Sequence, residues 1–459
     1  MSIRSKLYSF WTRRRSRSLS ATKIIAITFA ALIFLGACLL TLPAASRSGV
    51  SCGFRPALFT ATSATCVTGL VPFDTFTQWS GFGQAVILCL IQIGGLGFMS
   101  AATLFVFLMR RRIGLKQRLV MAQALSVSDM DGIVKLQKTV LIGSFSIEGI
   151  GALILLIRFW PEYGFVKALW WGVFHSVSAF CNAGFDIFGC ITPGASLLEF
   201  RSDPVVLLTL GALVVIGGLG FLVWQELWEL PKTKRLSVYA KLVLGTTFAL
   251  IAAGWLVVCL LEWENPETLG SMSLPDKLLG GLFQSVTLRT AGFTAMDQAG
   301  LTDATKAFNI LLMLIGGSSG STAGGLKTVS FLVILLFLWA RLRGRSDVRV
   351  CRRTVPQRQI TDAMTIAALM LMLAVFGAIF ISATSPVSFI DSLYESASAI
   401  ATVGITAGAT GSLSIPAQYL IIVYMYFGRV GLLTVSLGFL MGDRVQDRYR
   451  YAETDLLIG

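Results

Sequence analysis

The stretch F-T-A-T-S-A-T-C-V-T-G-L from Phe59 to Leu70 returns three times along the chain. It returns as F-H-S-V-S-A-F-C-N-A-G-F (Phe174 to Phe185), F-Q-S-V-T-L-R-T-A-G-F-T (Phe283 to Thr294) and Y-E-S-A-S-A-I-A-T-V-G-I-T (Tyr394 to Thr406). A glycine follows the polar opening residue by nine positions in three copies: Thr60 to Gly69, His175 to Gly184 and Glu395 to Gly404. In the remaining copy, Gln284 to Gly292, the interval is eight. Four copies in equivalent places are internal repeats.

Each copy lies between two apolar runs. These run from Ile24 to Leu42, Ala85 to Met109, Val140 to Trp160, Val205 to Trp228, Leu242 to Leu261, Phe308 to Trp339, Met364 to Ile381 and Tyr419 to Met441. A transmembrane helix takes about 20 such residues. With 55% hydrophobic and 14% charged residues among 459, and mean hydropathy +0.75, the chain is too apolar for a soluble domain. The expected fold class is an all-α polytopic membrane protein. Eight transmembrane helices and four re-entrant pore helices form four M1-P-M2 repeats around one pseudo-fourfold pore. The divisions are 1–118 (cytoplasmic N-terminus plus repeat 1), 119–235 (repeat 2), 236–358 (repeat 3), 359–442 (repeat 4) and a cytoplasmic tail, 443–459.

Lysine plus arginine exceeds aspartate plus glutamate by 38 − 24 = 14. The cations fall in blocks: the N-terminal R-R-R-S-R, Arg110 to Arg118, Lys232 to Arg235, Arg341 to Arg358 and Asp443 to Arg450. These blocks precede the first apolar run and follow every second one. The pattern follows the positive-inside rule and predicts both termini in the cytoplasm. It speaks against nucleic acid as the partner; the lipid bilayer is the expected one. The run from Ile24 to Leu42 is too long for a signal-peptide core and reads as the first membrane helix. The eight cysteines show no metal or redox spacing; Cys52 and Cys190, on the expected outer side, are candidates for a pair.

A segment of about ten residues cannot cross a core about 30 Å thick. It can enter as a half-helix and return as extended chain, which is tolerated where it is buried in protein or lines a water-filled path. Four such half-helices aim their partly negative C-termini at one centre. The extended chains then offer rings of carbonyl oxygens, a cation site without carboxylates. The nearest acid to any of the four glycines is Asp186, two residues past Gly184, which points to a monovalent ion. The alternative makes the glycines helix-packing points.

The sixth apolar run is interrupted by I-G-G-S-S-G-S-T-A-G-G-L-K, Ile315 to Lys327. Its five glycines hold a straight helix poorly, and an unwound stretch there suits a barrier across an ion path. Close small-residue packing is the alternative. Arg429, inside F-G-R-V-G, is a buried cation available to hold that barrier through carbonyls or to slow cations; a local packing role is the alternative. Lys327 is expected to snorkel toward the cytoplasm, and Arg289 to brace the third filter segment.

The four repeats, N-A-G-F at Asn182 to Phe185, R-T-A-G-F at Arg289 to Phe293 and G-G-S-S-G-S-T-A-G-G-L-K at Gly316 to Lys327 resemble the Trk/Ktr/HKT potassium transporter superfamily. Length and span number are most similar to KtrB, the membrane subunit of Ktr systems. The resemblance implies a potassium filter of backbone carbonyls at Thr68, Gly69, Asn182, Ala183, Gly184, Thr290, Ala291, Gly292, Val403 and Gly404. It implies an intramembrane gate at Gly316, Gly317, Ser318, Ser319, Gly320, Ser321, Thr322, Ala323, Gly324 and Gly325, with Arg429 as the pore-facing arginine of that gate, below the loop. It further implies a homodimer in a bacterial inner membrane, with a KtrA-like RCK nucleotide-binding ring on the cytoplasmic face. The chain has neither a G-x-G-x-x-G after a strand nor a Walker motif, so no cofactor is expected here and ATP or ADP would bind the partner. Gly69, where some sodium-selective relatives carry serine, favours potassium; sodium is a candidate stimulating ion.

Two other classes fit less well. Gly317 to Gly320 with His175, the single histidine, sketches an intramembrane serine protease, but Ser319 and His175 belong to different segments. Alternating-access carriers commonly use two inverted repeats rather than four re-entrant segments in one orientation.

Overall fold

A computed structural model describes residues 21–97 and 133–431. Apart from single-turn segments, the helices are α1 Ala21–Thr41, α2 Phe54–Cys66, α3 Gly81–Leu96, α4 Ile133–Tyr163, α5 Phe165–Phe180, α6 Pro204–Leu219 and α7 Phe221–Thr233. They continue as α8 Val238–Glu262, α9 Leu274–Thr287, α10 Asp303–Leu314, α11 Thr328–Leu342, α12 Gln357–Thr384, α13 Phe389–Ala401 and α14 Ile415–Val430. A two-stranded antiparallel hairpin, Arg349–Val350 with Arg353–Thr354, is a small departure from the all-α expectation.

Among the described residues, α1, α4, α8 and α12 are long and apolar enough to cross a membrane. They expose large apolar side chains such as Phe34, Ile157, Phe248 and Met372, as a lipid-facing surface does. Each packs on the short helix that follows it: α1 on α2, α4 on α5, α8 on α9 and α12 on α13. The seat is a glycine on the long helix. A Cβ on Gly151 would stand 2.6 Å from Ser176 Oγ, and Gly254 and Gly377 face Ser285 and Ser396 in the same way. Each serine donates to a carbonyl three residues before that glycine: Ser176 to Glu148, Ser285 to Ile251 and Ser396 to Ala374. The first pair uses apolar contact instead, Gly36 against Ala61. These three hydroxyls are thus satisfied by backbone, as an apolar surrounding demands.

The helices after the short segments start on side-chain caps. Ser80, Asp203, Thr302 and Ser414 accept from the first free N–H groups of α3, α6, α10 and α14. They end early. The fourth apolar run, expected to continue from Val205 to Trp228, is bent by 99° between α6 and α7 at Gly220. Gly97, after α3, and Gly431, after α14, have the same left-handed backbone, with φ +83° and +96° against +91° at Gly220. Glycine takes that conformation without a Cβ penalty. The sixth run breaks more widely, between α10 and α11. The parts of the second and eighth runs beyond these glycines lie outside the described residues. So do three of the five basic blocks and the C-terminal tail.

Candidate functional site

The short helices α2, α5, α9 and α13 converge on four backbone turns of one design. Val67, Asn182, Thr290 and Thr402 are non-glycine residues in the left-handed region, with φ between +52° and +67°. Two residues on, Gly69, Gly184, Gly292 and Gly404 again have positive φ, +101°, +68°, +91° and +90°. The turns are in mutual contact. A Cβ on Gly69 would stand 2.6 Å from Ala183 O, one on Gly184 2.7 Å from Ala291 O, and one on Gly292 3.0 Å from Val403 O. One on Gly404 would run into Thr68 O. Each glycine therefore faces the carbonyl before the next glycine, and the fourth closes on the first. The ring order is the chain order.

A buried hydroxyl braces each turn. Ser63 Oγ accepts from Gly69 N–H and Ser398 Oγ from Gly404 N–H, both at 3.0 Å. Ser178 Oγ donates to Phe185 O at 2.7 Å and Thr287 Oγ1 to Phe293 O at 2.6 Å. All four sit three residues after the polar opener of their segment. The openers also reach the outgoing chain in three copies. His175 Nε2 accepts from Ile187 N–H, Gln284 pairs with Gln298, and Glu395 accepts from Thr410 Oγ1. His175 Nδ1 donates to Trp171 O at 2.7 Å, so both ring nitrogens are taken and neither serves Ser319.

All ten residues expected to form the filter lie in these four turns. Sequence reasoning missed Val67 and Thr402, which hold the places of Asn182 and Thr290, and the four bracing hydroxyls. The hydroxyls were readable as Ser or Thr at opener plus three. Around the ring the Thr68, Thr290 and Thr402 hydroxyls are buried with no partner among the described residues. Above it opens a cavity of about 340 Å³, floored by the four glycines and bordered by Asp74, Asp186 and Asp297. Asp74 and Asp297 each stand five residues past their glycine, against two for Asp186, so Asp186 alone was noticed. Burial, and then the nearby Asp74 carboxylate, push the Asp186 carboxyl up to about 7.

On the other side of the ring lies the loop from Ile315 to Lys327. Its neck is pinched by Gly316 N–H to Leu326 O and Leu326 N–H to Leu314 O. Its body docks on the bend at the end of α6: Ser318 N–H donates to Gly218 O at 3.0 Å, and Phe221 N–H to Gly320 O at 2.9 Å. Thr322 Oγ1 rises to Phe180 O and the Asn182 side chain, so the loop touches the second turn directly. Three cationic side chains hold its carbonyls. Arg429 donates to Thr322 O, Lys327 Nζ to Ala323 O at 2.8 Å, and Arg289 Nη2 to Gly316 O at 3.0 Å.

Two expectations change here. Lys327 folds back onto its own loop rather than snorkelling, because Ala323 O lies within reach of its ammonium. Arg289 braces the neck of the loop rather than a filter carbonyl. Arg429 also donates to Gly95 O at 2.9 Å and to Gly94 O, which ties the loop to the end of α3. Cys52 and Cys190 are separate free thiols; the Cys52 Sγ points to the Gly53 and Leu40 carbonyls.

The family model of the TrkH cation transport proteins matches residues 4–446. The chain is 40% identical to Ktr system potassium uptake protein B of Bacillus subtilis, over 95% of this chain and 96% of the relative. It is 37% identical to the potassium/sodium uptake protein NtpJ of Enterococcus hirae, over 97% and 99%. The crystal structure of the potassium transporter TrkH from Vibrio parahaemolyticus superposes with TM-score 0.73 at 18% identity, covering 92% of this chain and 85% of that one. The chain belongs to the TrkH family of cation transport proteins.

Proposed function

We propose that the protein takes up potassium across the cytoplasmic membrane through the ring of Gly69, Gly184, Gly292 and Gly404. The observation that carries this reading is the cyclic closure of the four turns, each glycine against the carbonyl of the next. A weakly hydrated cation exchanges its water shell for such carbonyls. The backbone oxygens at Thr68, Ala183, Ala291 and Val403 are the candidate ligands, with the unpartnered threonine hydroxyls beside them. Left-handed turns held by buried hydroxyls keep those carbonyls from collapsing into alternative hydrogen bonds. The names of two relatives at 37% and 40% identity, both potassium uptake proteins, support the choice of ion and speak for a transporter rather than an enzyme. Sodium, in the name of the Enterococcus hirae relative, is the candidate second ion.

In this reading the chain is four M1-P-M2 repeats, divided at 118/119, 235/236 and 358/359, around one pore. The last repeat ends at 442. The acidic mouth faces outward and both termini are cytoplasmic, in a bacterial inner membrane. The loop from Gly316 to Gly325 is the gate and Arg429 its latch. The word "system" in the Bacillus subtilis relative's name supports a partner subunit. We assign that part to a KtrA-like RCK ring that binds ATP or ADP on the cytoplasmic face of a homodimer.

The test is potassium-limited growth of a bacterium lacking its own uptake systems, expressing this chain with and without such a partner. Rescue is expected, stronger with the partner, and lost in Gly292→Asp, whose carboxylate would project into the ring. Absence of rescue by a chain shown to reach the membrane would overturn the assignment.

A further inference from the structure

A different residue stands just before the left-handed one in each turn: Cys66, Cys181, Arg289 and Ala401. Three of these side chains are small. The third copy places a guanidinium there, and Arg289 is only 8% exposed. Among the described residues no carboxylate pairs with it. Burying a charge without a countercharge is costly unless its hydrogen bonds are made, so its acceptors matter.

One nitrogen reaches two acceptors. Nη2 donates to Gly316 O at 3.0 Å and to Thr328 Oγ1 at 3.2 Å. The Thr328 hydroxyl donates in turn to Gly316 O at 3.2 Å, and Thr328 N–H to Gly317 O at 3.0 Å. Gly316 lies where the chain leaves α10 for the loop, and Thr328 is the first residue of α11. The guanidinium therefore staples the loop's entry to its exit. Its Nε is buried without a partner among the described residues, so losing an Nη2 acceptor would leave the charge poorly compensated. Along the backbone, Arg289 adjoins Thr290 and is two residues from Ala291, whose carbonyl closes the ring against Gly184. The loop meets the second turn differently. There Thr322 reaches up with its own side chain, which belongs to the loop. Arg289 belongs to the turn, so a change at the neck is passed to the ring through its backbone.

We infer that Arg289 is a positioning residue that ties the neck of the loop to the third filter turn, so that a slack neck loosens the ring at Ala291 and weakens the choice of potassium over sodium. The inference rests on the proposed roles of the ring and the loop. With Gly316 and Thr328 both bound, the side chain is fixed at its far end and holds the backbone from Arg289 to Ala291. With one acceptor lost the guanidinium reseats, and the Ala291 carbonyl gains room to close on a smaller ion. The loop then acts on selectivity as well as on rate.

The experiment measures potassium and sodium flux into vesicles containing the whole chain. The variants are Thr328→Val, Thr328→Ser, Arg289→Gln, the double Arg289→Gln/Thr328→Val, and Arg429→Ala. Valine keeps the branched shape of Thr328 and removes only the hydroxyl, on a residue outside the ring. Thr328→Val is expected to lower the ratio of potassium to sodium flux about fivefold, ~1 kcal/mol, the size of one hydrogen bond. Thr328→Ser keeps the wild-type ratio. Arg289→Gln lowers the ratio at least as far, and the double variant no further, because the hydroxyl then has no guanidinium to hold. Arg429→Ala, which releases the loop's body and leaves the neck, raises flux without changing the ratio. If Arg289→Gln fails to insert, Thr328→Val against Thr328→Ser still decides. An unchanged ratio in Thr328→Val, additive losses in the double variant, or an equal fall in Arg429→Ala overturns the inference. Wild-type potassium flux no higher than that of empty vesicles overturns the proposed function as well, which separates the two failures.

Discussion

The layer of the four glycines and the layer of the helix ends beneath it are built from the same four repeats on opposite rules. In the upper layer every copy does the same thing. A left-handed residue, a carbonyl, a glycine and a hydroxyl recur, and only the direction of the hydroxyl bond changes, accepting at Ser63 and Ser398, donating at Ser178 and Thr287. In the lower layer no two functions coincide. The Gly94 end receives Arg429, the Gly217 end receives the loop, the Gly316 end becomes the loop, and the Gly428 end supplies Arg429. In the proposed function an ion on the axis would meet all four copies at once, so selectivity would reward sameness. A barrier needs one part that moves and others that hold it, which requires difference.

The largest effect is expected from making the upper layer unequal. Gly404→Ala places a methyl against Thr68 O and a side chain in a left-handed backbone at φ +90°. The misfit and the strain together exceed a few kcal/mol, so potassium uptake is expected to fall to background while the protein still inserts. Isotope uptake, normalised to membrane-inserted protein, measures it; uptake above a tenth of wild type would show that the ring tolerates unequal members.

Next comes the lower layer, where loss of a part should speed transport. Charge-assisted hydrogen bonds contribute about 2 kcal/mol each. Removing the Arg429 bond to Thr322 O is therefore expected to raise the maximal flux about thirtyfold. Shortening Gly316–Gly325 should do the same, and the two changes together should add little. A lowered flux in both would mean that the loop supports the pore rather than closing it.

How far the sequence disclosed these layers follows from what each is made of. Repetition makes the upper layer legible, because four glycines at a near-constant interval stand out from any background. Val67 and Thr402 escaped because their role lies in φ, which Val and Thr do not advertise. The bend at Gly220 escaped for a related reason. I-G-G-L-G at Ile216 to Gly220 sits inside a run that stays apolar on both sides, and hydropathy records side chains while a bend is a backbone event. The sixth run was read as broken because serine and threonine interrupt its hydropathy as well. Glu148, buried on α4 beside Gln92, was lost inside the apolar run from Val140 to Trp160, since a window average absorbs an isolated charge. Arg429 was noticed for its charge, but its anchorage on Gly94 and Gly95 joins residues more than 300 positions apart.

The mouth above the ring departs mildly from fourfold sameness, and the smallest effect belongs there. Asp74, Asp186 and Asp297 border the cavity, while the fourth copy contributes Thr406 and Thr410. The Asp186 carboxyl, raised to about 7 by burial and by Asp74, is largely neutral below that pH and charged above it. A charged mouth concentrates cations, and its effect is expected on capture rather than on passage through the proposed gate. The half-saturating potassium concentration is therefore expected to rise, by about threefold, as outside pH falls through 7 toward 6, with the maximal rate unchanged. Asp186→Asn should show the high, acid-like value at every pH, and Asp297→Asn should leave the pH dependence in place. Loss of the pH dependence in Asp297→Asn instead would move the titrating group across the mouth. A shift in maximal rate would put the proton's action below the ring, in the layer where the four copies differ.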